Sequence, residues 1–341
     1  MEQRFTERAR PWSVEDAAAV ASDAFGVTGW ATLLTGERDA NFRIDTTDAA
    51  YVLKVTHPAE PMAVTRYQTA AHEHAGAQGA PVPHLHTARD GSTIAVVDRG
   101  DGPRAVRLIE HVPGTSMAMA PRTIGQRHTL GSALAKVDAA FATFTDAPPY
   151  LNLLWNSERV DGLAHLLEYI EGADRRELAR TTLDHLVDET LPRLARQRRQ
   201  LIHNDANPSN VLLDAADHDR VRAILDLGDV VIASLVQDVA VAAAYLVAPD
   251  AHPMAAPADL IAGFHAVLPL TDDELALVPD LMRARMLTTV LITEWRARVF
   301  PENRDYIMRN NPNAWAGLRR LQHCSADEAL TVLRQRLEED A

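Results

Sequence analysis

Lysine and cysteine are scarce in this chain. Of 34 basic residues two are lysine, Lys54 and Lys136, and the rest are arginine; the one cysteine is Cys324. A single thiol excludes an intramolecular disulfide framework and fits a reducing, cytoplasmic setting, with Cys324 read as a small packed side chain. An excess of positive charge is also lacking. At a net charge of −13 the chain is unsuited to bind a phosphate backbone, so no nucleic-acid partner is expected. Nor is there a long uninterrupted apolar run. The nearest, Val230 to Ala248, carries Asp238 near its middle, where a carboxylate would cost about 2.5–3.5 kcal/mol on insertion. It reads as a buried loop and helix, and no membrane contact is expected. The opening stretch has no apolar core of a signal peptide. What remains is ordinary globular composition, 47% hydrophobic and 24% charged over 341 residues, enough for two lobes.

Ser13 with Asp16 reads as a capping box opening a helix to about Phe25. "WATLLTG", "NFRID" and "YVLKV" read as antiparallel strands, Pro61 to Gln78 as a helix, and "HLHTA", "STIAVVD" and "RAVRLIEHV" as three more strands. The fold class is therefore α+β. A first lobe of helix and antiparallel sheet spans 1–108, a hinge spans 109–114 before Pro113 and Gly114 punctuate the chain, and a larger, mainly helical lobe spans 115–341. Helices are expected at about 121–143, 158–170, 174–198, 236–248, 255–267, 272–299 and 325–338, with a short β-rich interruption at 210–229.

The chemistry concentrates in that interruption. "LIHNDANPSN" places Asn210 five residues after Asp205, and "ILDLGD" brings Asp226 sixteen residues later. This is the H-x-D-x-x-x-x-N and D-x-G spacing of a kinase catalytic loop and metal loop. Asn210 and Asp226 supply the hard oxygens that Mg2+ prefers. Asp205 supplies a carboxylate to orient an attacking hydroxyl and take its proton. Lys54, between Leu53 and Val55 in an apolar strand, supplies a compact positive charge for phosphate oxygens. A strand residue whose ammonium merely reaches water is the bland alternative, and the downstream motifs weigh against it. His203 reads as a brace of the loop and Asp238 as a helix cap bonded to the loop backbone. His72, His74, His84 and His86 do not share ligand spacing with an acid or cysteine, so no structural zinc is expected.

These motifs resemble the aminoglycoside phosphotransferase family of small-molecule kinases, whose fold is a two-lobed relative of protein kinases. "GERDANF", "YVLKV", "VRLIEHVPG", "LLWN", "LIHND", "ILDLGD" and "FPENRDY" occur in the order seen in its hydroxylysine kinase-like subgroup, across nearly the whole chain. The resemblance implies that the turn from Gly36 through Arg38 to Asn41 covers the phosphates of a nucleoside triphosphate, ATP or GTP, and that Lys54 contacts its α- and β-phosphates. It also implies that Ile109, Glu110, His111 and Val112 form the hinge whose backbone holds the base. Two departures stand out. Asn204 occupies the place of a glycine common before the catalytic Asp. The helix glutamate that often pairs with the lysine falls on Gln68, unless the register shifts and Glu73 takes its place.

The expected acceptor is a small hydroxylated amine or amino acid, such as hydroxylysine. Asp205, Asp226 and Asp229, with Glu302 and Asp305 from a late segment, would draw an ammonium group. Arg283 and Arg285 are candidates for a substrate carboxylate, and Trp155, Trp295 and Trp315 for pocket walls or core. Two competing readings are an antibiotic kinase and a nucleotide-binding regulatory module without catalysis. Monomer and homodimer both remain open.

Overall fold

The computed structural model describes residues 10–36, 38–100, 102–148, 153–249 and 251–340. The chain divides into two compact units, one of residues 1–113 with 144–151, the other of 114–143 with 152–341.

The first unit opens with α1 (Val14–Phe25). The Ser13 hydroxyl accepts from the Asp16 amide at 3.1 Å, the Asp16 carboxylate accepts in return from Ser13, and Gly26 ends the helix at φ +72°. Six antiparallel strands follow: β1 (Trp30–Leu34), β2 (Ala40–Asp45), β3 (Ala50–Val55), β4 (Leu85–His86), β5 (Ala95–Asp98) and β6 (Pro103–Glu110), with α2 (Met62–Ala77) between β3 and β4. The sheet order is β1-β2-β3-β6-β4, and β5 also pairs with β6. The strand period of two decides which side chains face inward. Phe42, Ile44, Leu53, Val55, Val106 and Leu108 form one buried face, which α1 covers with Ala17, Val20, Ala21 and Phe25. Each large side chain so buried contributes about 1.5–3 kcal/mol. Asn41 and Lys54, directly paired across β2 and β3, consequently share the opposite face. The ring of Phe144 meets Tyr67 and His74 of α2 edge-on, at 5.5 and 5.4 Å, which ties the 144–148 stretch to this unit.

The second unit holds two small sheets. One comprises β7 (Thr115–Ser116), β9 (Val211–Leu213) and β10 (Val221–Ile224); the other pairs β8 (Arg199–Ile202) with β11 (Val231–Ser234). Two of the chain's crossings between them are short. Residues 203–210 link β8 to β9, and residues 225–230 link β10 to β11, so both sequence motifs lie on connections between the same two sheets. Around them pack α3 (Ile124–Phe141), α4 (Ala173–His185), α5 (Leu191–Leu194), α6 (Leu235–Ala244), α7 (Ala255–His265), α8 (Asp272–Val299), α9 (Arg304–Ile307), α10 (Asn311–Gln322) and α11 (Ala326–Asp340), with a 3-10 run at Ser157–Tyr169. Two glycines bring α3 and α7 into backbone contact: a Cβ on Gly131 would lie 1.9 Å from the Leu260 carbonyl oxygen, and one on Gly263 equally close to that of His128. This close crossing fixes the depth of α3 in the unit.

Three sequence expectations are corrected. The helix expected over 174–198 breaks into α4, a π turn at Leu186–Thr190 and α5. Pro192 lacks the N–H that would continue an α ladder there, and a wider turn absorbs the loss. Residues beyond α5 then extend into β8. The 230–248 stretch begins as β11, not as a loop, because Val231 and Ile232 find partners in Ile202 and Leu201. Finally, α10 was not anticipated; Pro312 stands in its first turn. No helix among the described residues is long and apolar enough to cross a membrane.

Candidate active site

The loop after β8 is held from below. The Asp238 carboxylate, on the first turns of α6, accepts from the backbone N–H of His203 at 2.9 Å and of Asn204 at 2.6 Å. It braces the loop, while Ser234 occupies the N-cap of its own helix. Asn204 is in the left-handed region at φ +67°. This explains the departure noted in the sequence: glycine is at ease there, and asparagine tolerates it better than most residues. The Asn204 side-chain oxygen accepts from Gln237 at 3.0 Å, which pins the strained residue. The Asp205 N–H donates to His203 Nδ1 at 3.2 Å, so the ring proton sits on Nε2, which donates to the Leu225 carbonyl at 2.9 Å. His203 thus joins the loop to the strand end that precedes Asp226.

Asp138, on α3, lies beside Asp238. It is fully buried, and neither of its oxygens receives a hydrogen bond from a described donor. Burial pushes its carboxyl well above the ordinary value of 3.8, and the charge of Asp238 and a hydrogen bond to it act in the same direction. Asp238 already accepts two amides, and its neighbour Asp138 is the carboxyl whose charged form the burial disfavours. No local sequence signal marks this pairing, because the two residues are a hundred positions apart.

Asp205, 19% exposed at its side chain, carries the densest set of contacts. Its Oδ2 accepts from Asn210 Nδ2 at 2.9 Å and from Asn207 Nδ2 at 3.0 Å. Its Oδ1 takes a charged hydrogen bond from Arg285 Nη2 at 2.6 Å. Burial raises the Asp205 carboxyl above the ordinary range. Arg285, Asn207 and His203 oppose that rise, and the charge of Asp226 adds to it. Arg285 is itself buried. Tyr245 Oη accepts from it at 2.9 Å and the Trp155 carbonyl at 3.3 Å, and its guanidinium lies 5.3 Å from the Trp155 ring centre. Burial works against its charge; the Tyr245 oxygen, Asp205 and Asp229 more than offset this, and it stays protonated. Burial likewise raises the Tyr245 hydroxyl, which stays neutral.

Of the sequence candidates in this unit, Asp205, Asn210, Asp226 and Asp229 come together, with Arg285 among them. Arg283 is held elsewhere: its guanidinium donates to Asp280 and to the Leu321 and Cys324 carbonyls. Trp295 is buried within α8, while Glu302 and Asp305 are exposed. Trp315 donates to Glu294 and stacks with Arg175.

In the first unit Lys54, 16% exposed at its side chain, makes an ion pair of 3.6 Å with Asp39, whose other oxygen accepts from the His57 amide at 2.9 Å. Asp39 was not singled out in the sequence. Gln68 is buried on α2 and Glu73 is exposed. In the "GERDAN" turn Arg38 pairs with Glu60 at 3.1 Å, and Gly36 is required where a Cβ would come within 2.5 Å of the Asp39 carbonyl oxygen; Glu37 lies outside the described residues. At the end of β6, Ile109 is paired with Val52, the Glu110 N–H donates to the His84 carbonyl and the His111 N–H to the Ala50 carbonyl. The Val112 backbone enters no described hydrogen bond. Burial and the nearby Arg43 push the His111 ring below its ordinary value.

The model of the family described as "Phosphotransferase enzyme family" matches residues 30–275, more than two-thirds of the chain. The chain belongs to this family. It is thus a phosphotransferase, with the mixed α+β fold of the kinase-like members. It is similar to the hydroxylysine kinase of Mus musculus, 25% identical over 312 residues that cover 84% of this chain and 83% of that one. It is also similar to that of Xenopus laevis, 23% identical over 302 residues, 82% and 79% of the two chains. Among solved structures, a microcompartment-associated aminopropanol kinase aligns with a TM-score of 0.75 at 18% identity, over 94% of this chain and all of that one. An amicoumacin kinase in complex with AMP-PNP and Ca2+ aligns with a TM-score of 0.63 at 15% identity, over 91% and 87%.

Two oxygens of the phosphotransferase, from Asn210 and Asp226, could hold a divalent cation. Asn210 spends its Nδ2 on Asp205, and its Oδ1 takes no described hydrogen bond. Asp226 sits on the next connection at φ +60°, a conformation that costs on the order of 1–3 kcal/mol and is kept where surrounding structure enforces it. Among the described residues no group of three or more His, Cys, Asp or Glu is arranged to hold a metal. The Asn210 Oδ1 and the Asp226 carboxylate are hard oxygen donors of the kind a small divalent cation takes, with its remaining positions left to phosphate and water.

Proposed function

We propose that this phosphotransferase is a magnesium-dependent kinase that moves the γ-phosphoryl group of ATP or GTP to a hydroxyl of hydroxylysine or a similar hydroxylated amino compound. The observation that carries the reading is the environment of Asp205. Its carboxylate is fixed through Asn207, Asn210 and Arg285 and is more basic than an exposed aspartate, as suits a group that orients an alcohol and accepts its proton. Lys54 neutralises phosphate oxygens of the donor, the 36–41 turn offers them backbone N–H groups, and Val112 offers its backbone to the base. Asn210 and Asp226 hold the Mg2+, which when bound neutralises charge on the phosphates. The acceptor class draws its support from the relatives named hydroxylysine kinase.

The test is a transfer assay with ATP and GTP, with and without Mg2+, against a panel of hydroxylated amino acids, amino alcohols and aminoglycosides. Magnesium-dependent phosphorylation of hydroxylysine or a close analogue is expected. Transfer only to aminoglycosides, or nucleotide binding with no transfer to any alcohol, would overturn the reading.

A further inference from the structure

A cavity of about 280 Å³ opens in the second unit between the start of α3, the end of α6 and helices α8 and α10. Its wall includes Arg122, Arg127, Tyr245, Arg285, Asn310 and Asn313, and no described residue lining it is an aspartate or glutamate. In a chain with a net charge of −13 this is an unusual wall. Two of its three guanidiniums are compensated from behind. Arg285 is paired with Asp205, and Arg127 binds Asp259 at 2.7 Å, although Asp259 is shared with Arg336. Arg122 has no hydrogen-bond or ion-pair partner among the described residues. It is exposed at the rim of the cavity, where the surrounding protein and the charge of Arg127 push it below the ordinary arginine value. The wall thus carries about one uncompensated positive charge, and Tyr245 and Arg285 connect it to Asp205.

We infer that this cavity receives a carboxylate of the phosphoryl acceptor, bound at Arg122, so that the acceptor is a hydroxylated amino acid rather than an amino alcohol or an aminoglycoside. This rests on the kinase reading above and narrows it. Sign and stoichiometry favour a carboxylate: a guanidinium matches it in two parallel hydrogen bonds, whereas a phosphate group, at about −1.5 to −2, would exceed the charge available. Size points the same way. At about 280 Å³ the cavity lies just below the usual range of ligand sites, about 300 to 1,000 Å³, and suits an amino acid. A polycationic sugar meets both the wrong volume and the wrong sign. The sequence reading offered Arg283 and Arg285 for a substrate carboxylate; of these Arg285 lines the cavity but is engaged by Asp205, and Arg122 takes the role instead.

The experiment compares 5-hydroxylysine with its carboxamide, in the wild type and in Arg122→Gln. In the wild type the acid is preferred over the amide by at least about tenfold in kcat/KM, the range for losing one charge-assisted hydrogen-bonded pair. In Arg122→Gln that preference collapses to within about twofold, and Arg122→Lys restores part of it. Equal use of acid and amide by the wild type, or an unaltered preference in Arg122→Gln, overturns the inference. A parallel thermal-shift series separates this failure from failure of the kinase reading. If no alcohol is phosphorylated, a melting-point rise with 5-hydroxylysine in the wild type that is lost in Arg122→Gln still supports the carboxylate site. Absence of that rise in the wild type removes it.

Discussion

The raised carboxyl of Asp138, buried beside Asp238, makes a quantitative prediction for Asp138→Asn. Asparagine is close in shape and replaces the carboxyl O–H by an amide N–H, so the hydrogen bond to Asp238 is kept. What changes is the linkage to pH. In the unfolded chain Asp138 loses its proton near 3.8, whereas in the folded protein burial and Asp238 hold the proton to a much higher pH. The wild type is therefore fully credited with this proton only below the unfolded value. As pH rises from there toward the folded value, the folded state carries one more proton than the unfolded state, and stability falls by about 1.4 kcal/mol per pH unit. Asp138→Asn has no such proton. Other titrations cancel in the difference between the two proteins, so the variant gains on the wild type by about 1.4 kcal/mol for each unit between the unfolded and the folded value. Urea melts of both proteins at half-unit steps upward from pH 4, just above the unfolded value, read this directly. A stability difference that stays flat across that range would falsify the protonated state of Asp138 and, with it, the account of how the loop is braced.

Two further outcomes follow from the same geometry. Arg285→Met removes the group that opposes the rise of the Asp205 carboxyl, so that carboxyl rises further. Since the deprotonated form is the base, the acid limb of the kcat/KM profile moves to higher pH; a limb that does not move would separate Arg285 from the electrostatics of Asp205. Gly131→Ala places a methyl against the Leu260 carbonyl and forces α3 and α7 apart. A loss of about 1–3 kcal/mol in stability is expected by thermal or urea melting, and unchanged stability would contradict the close crossing.

Much of the site was legible because its spacing is local. Asp205, Asn210 and Asp226 lie on two short connections, and the chain itself sets their separation. Lys54 was legible because a lysine among strand-forming apolar residues is unusual in a chain that relies on arginine. The strands of the first unit were readable from alternation and turn residues. What escaped depends on contacts distant in sequence. β8 and β11 are each four residues long and exist because they pair with one another across about thirty positions. Without that pairing, Arg199 to Ile202, just past the helix expected to 198, gives no strand signal of its own. Asp138, Tyr245 and Arg122 carry no motif; each acquires meaning from a neighbour on another helix. Arg285 was named beside Arg283, and helix periodicity alone could not tell which of them faces the loop. Asp39 was hidden inside a turn read for its backbone.

The most direct test of the central claim is single-turnover phosphoryl transfer by Asp205→Asn, with nucleotide affinity measured in parallel. The substitution keeps the shape of the side chain and removes its basicity. The account predicts a fall in the transfer rate of about 10²–10⁴-fold with Mg2+-nucleotide affinity within about twofold of the wild type. Transfer at a rate near that of the wild type would contradict it.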